Sequence, residues 1–190
     1  MELKLYEDQT FEKVIYTEQS LTGREFQSCT FKGCDFSGTD FASTKLLECT
    51  FDGCNLSMAK LYKTTLTDVI FKGCKLLGIN FSVVQDFLFT VKFENCMLDY
   101  SSFMDKKIPK TTFAKSSLKE VTFSRAILTG SVFDECNLNE TIFNETDLTA
   151  VDFSSAYNYI IDPELNVIKK AIFSSQGLAG LLASYDIKIV

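Results

Sequence analysis

From Phe11 the chain carries a large apolar residue at every fifth position: Phe11, Tyr16, Leu21, Phe26, Phe31, Phe36, Phe41, Leu46, Phe51, Leu56, Leu61, Leu66, Phe71, Leu76 and Phe81. The ladder pauses across residues 82–92, "SVVQDFLFTVK", and resumes two residues out of step. Its second run is Phe93, Leu98, Phe103, Ile108, Phe113, Leu118, Phe123, Leu128, Phe133, Leu138, Phe143, Leu148 and Phe153. Of these 28 positions, 15 before the pause and 13 after it, 26 are Phe or Leu, where chance would give about six. Neither an amphipathic helix, with a period of 3.6, nor a strand, with a period of 2, produces such spacing. A repeat of this kind marks a chain built from stacked units.

From Cys29 onward, the residue two before a large one is nearly always small. In the first run these are Cys29, Cys34, Thr39, Thr44, Cys49, Cys54, Ala59, Thr64, Val69 and Cys74, and the second run continues with residues such as Cys96, Ser101, Val121, Ser131 and Cys136. A tube with a large side chain at the centre of each wall leaves room for only a small second inward residue. The other three positions of each pentad are mostly polar, as an outer surface requires. Five residues then make one wall of a square coil and twenty make a full turn. The Phe and Leu columns confirm the turn: Phe93, Phe113, Phe133 and Phe153 repeat at twenty, with Phe103, Phe123 and Phe143 on the opposite wall and Leu on the two between. One coil buries nothing by itself, so stability grows with stacking. Seven to eight coils at the sheet spacing of ~4.8 Å predict a rod of roughly 35–40 Å.

All seven cysteines fall in the small slot, which they share with Ser, Thr, Ala and Val. They read as small buried hydrophobes. A metal site would lack histidine, which is absent from the chain, and no C-x-x-C occurs. Parallel stacked thiols such as Cys34, Cys54 and Cys74 do not offer the crossed geometry of a disulfide.

Length and charge narrow the class. A chain of 190 residues suits one domain with a substantial core. Its net charge of −6 gives no global attraction for nucleic acid or anionic membrane, so direct binding to either is not expected. The amino terminus has no apolar signal core and no window is long enough to span a membrane, which points to the cytosol. There is no Gly-rich phosphate loop and no recognisable catalytic constellation, so neither an enzyme nor a cofactor is expected.

Motifs such as "CDFSG", "CNLSM", "TDFAS", "CNLNE" and "TDLTA" resemble those of the pentapeptide-repeat proteins. The resemblance covers roughly residues 6–153 and implies an all-β solenoid, a right-handed quadrilateral β-helix. Residues 1–173 are assigned to it, with the register break at 82–92, because Ile168 and Phe173 remain in step. Residues 174–190 form a separate terminal element. Ser174 or Ser175 is placed to cap a short helix over about 175–184, with Leu178, Leu181, Leu182 and Tyr185 at helical spacing, and "DIKIV" reads as a final strand. This ending resembles that of the Qnr-like, gyrase-interacting members of bacteria, and implies a homodimer joined end to end through those four residues. A cap on a monomer is the alternative.

Two irregularities interrupt the pattern. The 82–92 segment, with Phe87 and Phe89, is expected to form a local bulge or packed kink. At 104–110, "MDKKIPK", Lys106 occupies an inward slot, and the wall is expected to bulge outward there with Lys107. Both are possible protruding partner contacts. Between Ala126 and Ile168 there is no Lys or Arg, but there are Asp134, Glu135, Glu140, Glu145, Asp147, Asp152, Asp162 and Glu164. Together with the resemblance, this acidic belt implies a DNA mimic for gyrase or topoisomerase IV that modulates quinolone susceptibility. The alternatives are a solvated acidic face, and a scaffold for an unrelated protein.

Overall fold

The computed structural model describes residues 4–185, 187 and 188. The chain forms a parallel β-solenoid with four-sided coils. Nine short strands stack on one wall: Thr10–Glu12, Thr30–Lys32, Thr50–Asp52, Val69–Lys72, Val91–Glu94, Thr112–Ala114, Val132–Asp134, Asp152–Phe153 and Ile172–Phe173. Four more, Leu5–Glu7, Glu25–Gln27, Lys45–Leu47 and Thr65–Thr67, stack on an adjacent wall. Every pairing is parallel and in step with the repeat, with Phe11 opposite Phe31, Phe31 opposite Phe51 and Phe113 opposite Phe133. The other walls are held by single bridges at the same spacing, such as Asp35 to Asn55 and Ser117 to Asn137. The nine strands make eight steps, or ~38 Å at sheet spacing.

The inward columns make the core. Phe133 lies parallel to Phe113 and Phe153, with ring centroids 4.8 and 5.1 Å away, and meets Phe123 and Phe143 edge-on at 5.8 and 6.2 Å. Both arrangements suit the ring quadrupole. The slot residues close the space between columns, and their side chains serve the backbone. Thr64, Thr141 and Ser131 each donate a hydroxyl to the carbonyl of the large residue 23 positions earlier, at 2.7–3.0 Å. Cysteines do the same with a longer bond, as Cys54 does to Phe31 at 3.3 Å. All seven cysteines are buried and free. Burial pushes the Cys49 and Cys136 thiols up to about 12.

Corners fall two residues after the large residues, and nearly all adopt positive φ. Glu48, Asp105, Arg125 and Glu140 do so as non-glycines at 53–60°. A left-handed residue costs roughly 1–2 kcal/mol, so the coil-to-coil hydrogen bonds must hold each corner in place. Corner amides do bond to the coil above, as Arg125 N–H does to the Asn144 carbonyl at 2.8 Å.

The wall does not bulge at 104–110. Ile108 N–H bonds to the Ile127 carbonyl at 2.9 Å, and Lys107 is bridged to Ile127. The distortion lies one coil earlier, over residues 84–90, where the two extra residues are accommodated as an outward knuckle. In a regular coil the slot carbonyl accepts from the next coil, as Ile79 does from Ser102 N–H. At the knuckle the equivalent Val84 carbonyl instead accepts from the Lys106 ammonium. The ammonium also contacts Asp86 at 2.6 Å and lies 5.4 Å from the Phe89 ring centroid. Lys106 is therefore inward and only 2% exposed. A long side chain fills the slot because the coil beneath has opened.

The tail carries the short helix expected of it, in a tighter form. Ser174 caps it, its hydroxyl accepting from Gly177 N–H at 3.1 Å, but the helical turns, Ser175–Leu181 and Ala183–Tyr185, are 3₁₀ rather than α. Two glycines in seven residues disfavour an α-helix, and both are needed for contact. A β-carbon on Gly180 would stand 2.1 Å from the Tyr159 carbonyl oxygen, and one on Gly177 would strike the Tyr159 hydroxyl. Gly180 in turn accepts from Ile161 N–H at 3.0 Å. Of the strand expected over 186–190, Ile187 and Lys188 are not in a strand, and the other three lie outside the described residues.

Candidate partner-binding surface

The acidic residues are arranged by the coil itself. Glu135, Glu140 and Glu145 occupy three successive corners, at φ 49–57°. Asp134 follows the buried Phe133, while Asp147 and Asp152 precede the buried Leu148 and Phe153. The carboxylates thus encircle one coil rather than line one wall, and Asp162 and Glu164 add to the next. None of the eight is buried, and none is in an ion pair among the described residues.

Neutral donors orient several of them. Asp147 accepts from Thr149 N–H at 2.9 Å and from the Thr129 hydroxyl at 3.3 Å. Hydrogen bonds, above all from Thr149, hold its carboxyl below the ordinary aspartate value. Asp152 accepts from Ser154 N–H, Asp162 from Glu164 N–H and Asp134 from the Ser155 hydroxyl, at 2.8–2.9 Å. Glu164 accepts from the Tyr185 hydroxyl at 2.9 Å, which ties the tail to the belt. Such bonds keep the charge and fix its position.

Elsewhere the stacking sets some opposite charges side by side. Glu12, Lys32, Asp52, Lys72 and Glu94 stand in single file on neighbouring strands, signs alternating at each step. Lys45 reaches Glu25 at 3.0 Å, and Arg125 holds Asp105 through two bonds of 2.7 and 3.0 Å. The belt follows these ladders along the rod and lacks their cations.

The other sequence-derived candidates divide. Phe87 is 78% exposed at the tip of the knuckle beside Leu88 at 60%, while Phe89 turns partly into the core. Lys107 is exposed, and Lys106 is not available to a partner. At the carboxy end Leu178, Leu182 and Tyr185 are exposed, whereas Leu181 packs on the core. Sequence reasoning missed the exposed Leu165, Val167 and Ile172 of the last coil. Their alternation with the buried Asn166 and partly buried Ile168 was the available signal. No cluster that could hold a metal ion occurs among the described residues, and no described helix is long and apolar enough to cross a membrane.

A family model described as a pentapeptide repeat region matches residues 7–81, 24–103 and 45–123, and a second, described as pentapeptide repeats in eight copies, matches 116–154. Among solved structures, a trypsin-treated variant of QnrB1, a plasmid-mediated fluoroquinolone resistance protein, is 15% identical and covers 100% of both chains with a TM-score of 0.74. A second trypsin-treated QnrB1 variant is 16% identical over 99% of this chain and 98% of its own, with a TM-score of 0.66. These identities establish a shared fold. No curated protein matches the chain.

Proposed function

The chain belongs to the pentapeptide-repeat family, and we propose that it is a non-enzymatic binding protein whose acidic belt takes the place of DNA on a topoisomerase of the gyrase or topoisomerase IV type. The observation that carries this reading is the belt itself: eight carboxylates, none of them buried and none in an ion pair among the described residues, on a stretch from Ala126 to Ile168 that holds no Lys or Arg. A protein surface that normally receives phosphates attracts such an array by the same long-range field. The fold shared with QnrB1, a fluoroquinolone resistance protein, is consistent with this use, and the same contact would alter the enzyme's response to quinolones. The exposed Leu178, Leu182 and Tyr185 would join two rods at their carboxy ends and set the two belts side by side at the middle of the assembly.

The test is competition with duplex DNA for purified gyrase, together with inhibition of supercoiling. Binding should weaken as salt rises, since screening acts over about 8–10 Å at ordinary ionic strength. Reversing Glu140, Glu145, Asp147 and Asp152 to Lys should abolish competition, while reversing Asp35, Asp40 and Asp52 should matter less. No binding by the unaltered protein at low salt, or equal effects of the two sets, overturns the proposal. The scaffold reading then takes its place, on the observation that the knuckle presents Phe87 to solvent.

A further inference from the structure

The methionines mark a surface that neither the belt nor the carboxy end accounts for. All three internal methionines, Met58, Met97 and Met104, occupy outward positions within two coil steps of one another. Met58 and Tyr100 stand on the same corner with Gly78 between them, since Met58 N–H bonds to the Leu77 carbonyl and Gly78 N–H to that of Asp99. Met58 is 65% exposed and Tyr100 62%. The Met58 sulfur lies over Gly78, where a β-carbon would strike it, so the apolar surface runs unbroken along the corner. Met97 widens it onto the wall before Tyr100, and Met104 onto the wall after. Elsewhere this corner carries Glu18, Gly38, Glu120 and Glu140. Single exposed apolar side chains are ordinary, whereas a contiguous set marks a contact surface.

The charges around it are sorted by end. Lys60 beside Met58, and Lys75 one step before Met97, are exposed and in no ion pair among the described residues. Asp40, one step before Lys60, instead accepts from Ala42 N–H at 2.9 Å. Lys63 lies over the Tyr62 ring at 5.2 Å and adds to the same positive end. At the Tyr100 end, Asp99 and Glu120 outnumber Lys119. We propose that this corner docks an amphipathic helix of another protein, with carboxylates at one end of its apolar stripe. From Met58 to Tyr100 is two coil steps, ~10 Å, and a stripe at i, i+4 and i+7 covers about the same length at 1.5 Å per residue. Unbranched methionine side chains adapt to such a stripe. The carboxylates belong over Lys60 and Lys75, because Asp99 and Glu120 repel them at the other end. Among the described residues this chain has no α-helix of its own to offer, so the occupant is a different protein.

Methyl NMR of the intact chain labelled at methionine reads this surface directly, because all three internal methionines lie on it. The probe is a synthetic helix with leucine at i, i+4 and i+7 and glutamates in its first turn, where they also favour the helix. Its addition should shift the Met58, Met97 and Met104 signals together. Exchanging the probe's glutamates for lysines should weaken binding, read by fluorescence anisotropy, on the order of tenfold. Lys60→Glu with Lys75→Glu should reverse that preference, and Met58→Asp with Tyr100→Asp should remove binding of either probe. These side chains are exposed, so the thermal midpoint should be retained. Methionine signals that do not move, equal binding of the two probes, or a preference that survives the lysine reversals would overturn the proposal. So would methionine shifts that follow protein concentration without the probe, which would make a second copy the occupant. Every belt carboxylate stays in place in these variants, so gyrase competition reports on the belt separately.

Discussion

Lys106 offers the sharpest test of how the coil with the insertion is closed. Its stem fills a slot that in most coils holds Cys, Ser, Thr, Val or Ala, and its ammonium engages the Val84 carbonyl, Asp86 and the face of Phe89. Lys106→Ala removes the stem and leaves a void, a change that costs about 2–4 kcal/mol by analogy with other long-to-Ala core substitutions. At about 2–4 °C per kcal/mol for a chain of this size, the midpoint should fall by roughly 5–15 °C. Lys106→Met retains the stem. It forfeits a charge-assisted hydrogen bond of ~1.5–3 kcal/mol and a cation–π contact of ~0.5–2 kcal/mol. The Asp86 contact adds little, about 0–1 kcal/mol, since that carboxylate is largely exposed. Against these losses stands relief from burying an ammonium, several kcal/mol, so the net change should be within about 1 kcal/mol. Both variants, however, untether the knuckle. Chymotryptic cleavage after Phe87 should then accelerate about tenfold, corresponding to ~1.4 kcal/mol of lost local closure. Thermal denaturation and timed proteolysis read the two effects separately. An Ala variant as stable as the unaltered chain, with cleavage at the original rate, would refute the placement of Lys106 inside the tube.

Four further outcomes are expected. Phe133→Ala should destabilise by about 3–5 kcal/mol, because it interrupts a column stacked on both sides, while Asn139→Ala at the surface should stay within about 0.5 kcal/mol; equal denaturation midpoints would contradict the tube. The seven thiols should resist iodoacetamide near pH 8 in the native protein and all react in denaturant, as mass spectrometry would register. Gly180→Ala should displace the tail from Tyr159 and speed proteolysis within 175–185, with the repeat itself retained by circular dichroism. Asp35 has its carboxyl held below the ordinary value chiefly by the Ser37 hydroxyl. Its contribution to stability is therefore complete above the unfolded value of about 3.9, and is lost as pH falls through the lower folded value. Ser37→Ala should raise the Asp35 titration midpoint measured by NMR.

Much of this protein is legible in one dimension because its core is periodic in one dimension. An inward residue at every fifth position, with a small one two places before it, leaves each side chain a single environment, repeated by stacking. That is why Phe133, Cys136 and Thr141 can be placed without coordinates, and why seven cysteines read as packing rather than chemistry. The acidic belt is equally visible as a run without Lys or Arg. What the linear order hides is contact between coils. The irregularities at 82–92 and 104–110 look separate in sequence, yet they are one feature, because Lys106 lies directly over the coil that the insertion opens. Which charges are spent in ladders and which stand free also depends on neighbours 20 residues away, as with Arg125 and Asp105. The tail is 3₁₀ rather than α because it must lie flush on Tyr159, a constraint its own spacing of Leu178, Leu181 and Leu182 does not reveal. The repeat determines what faces inward; only the stacking decides what each outward residue meets.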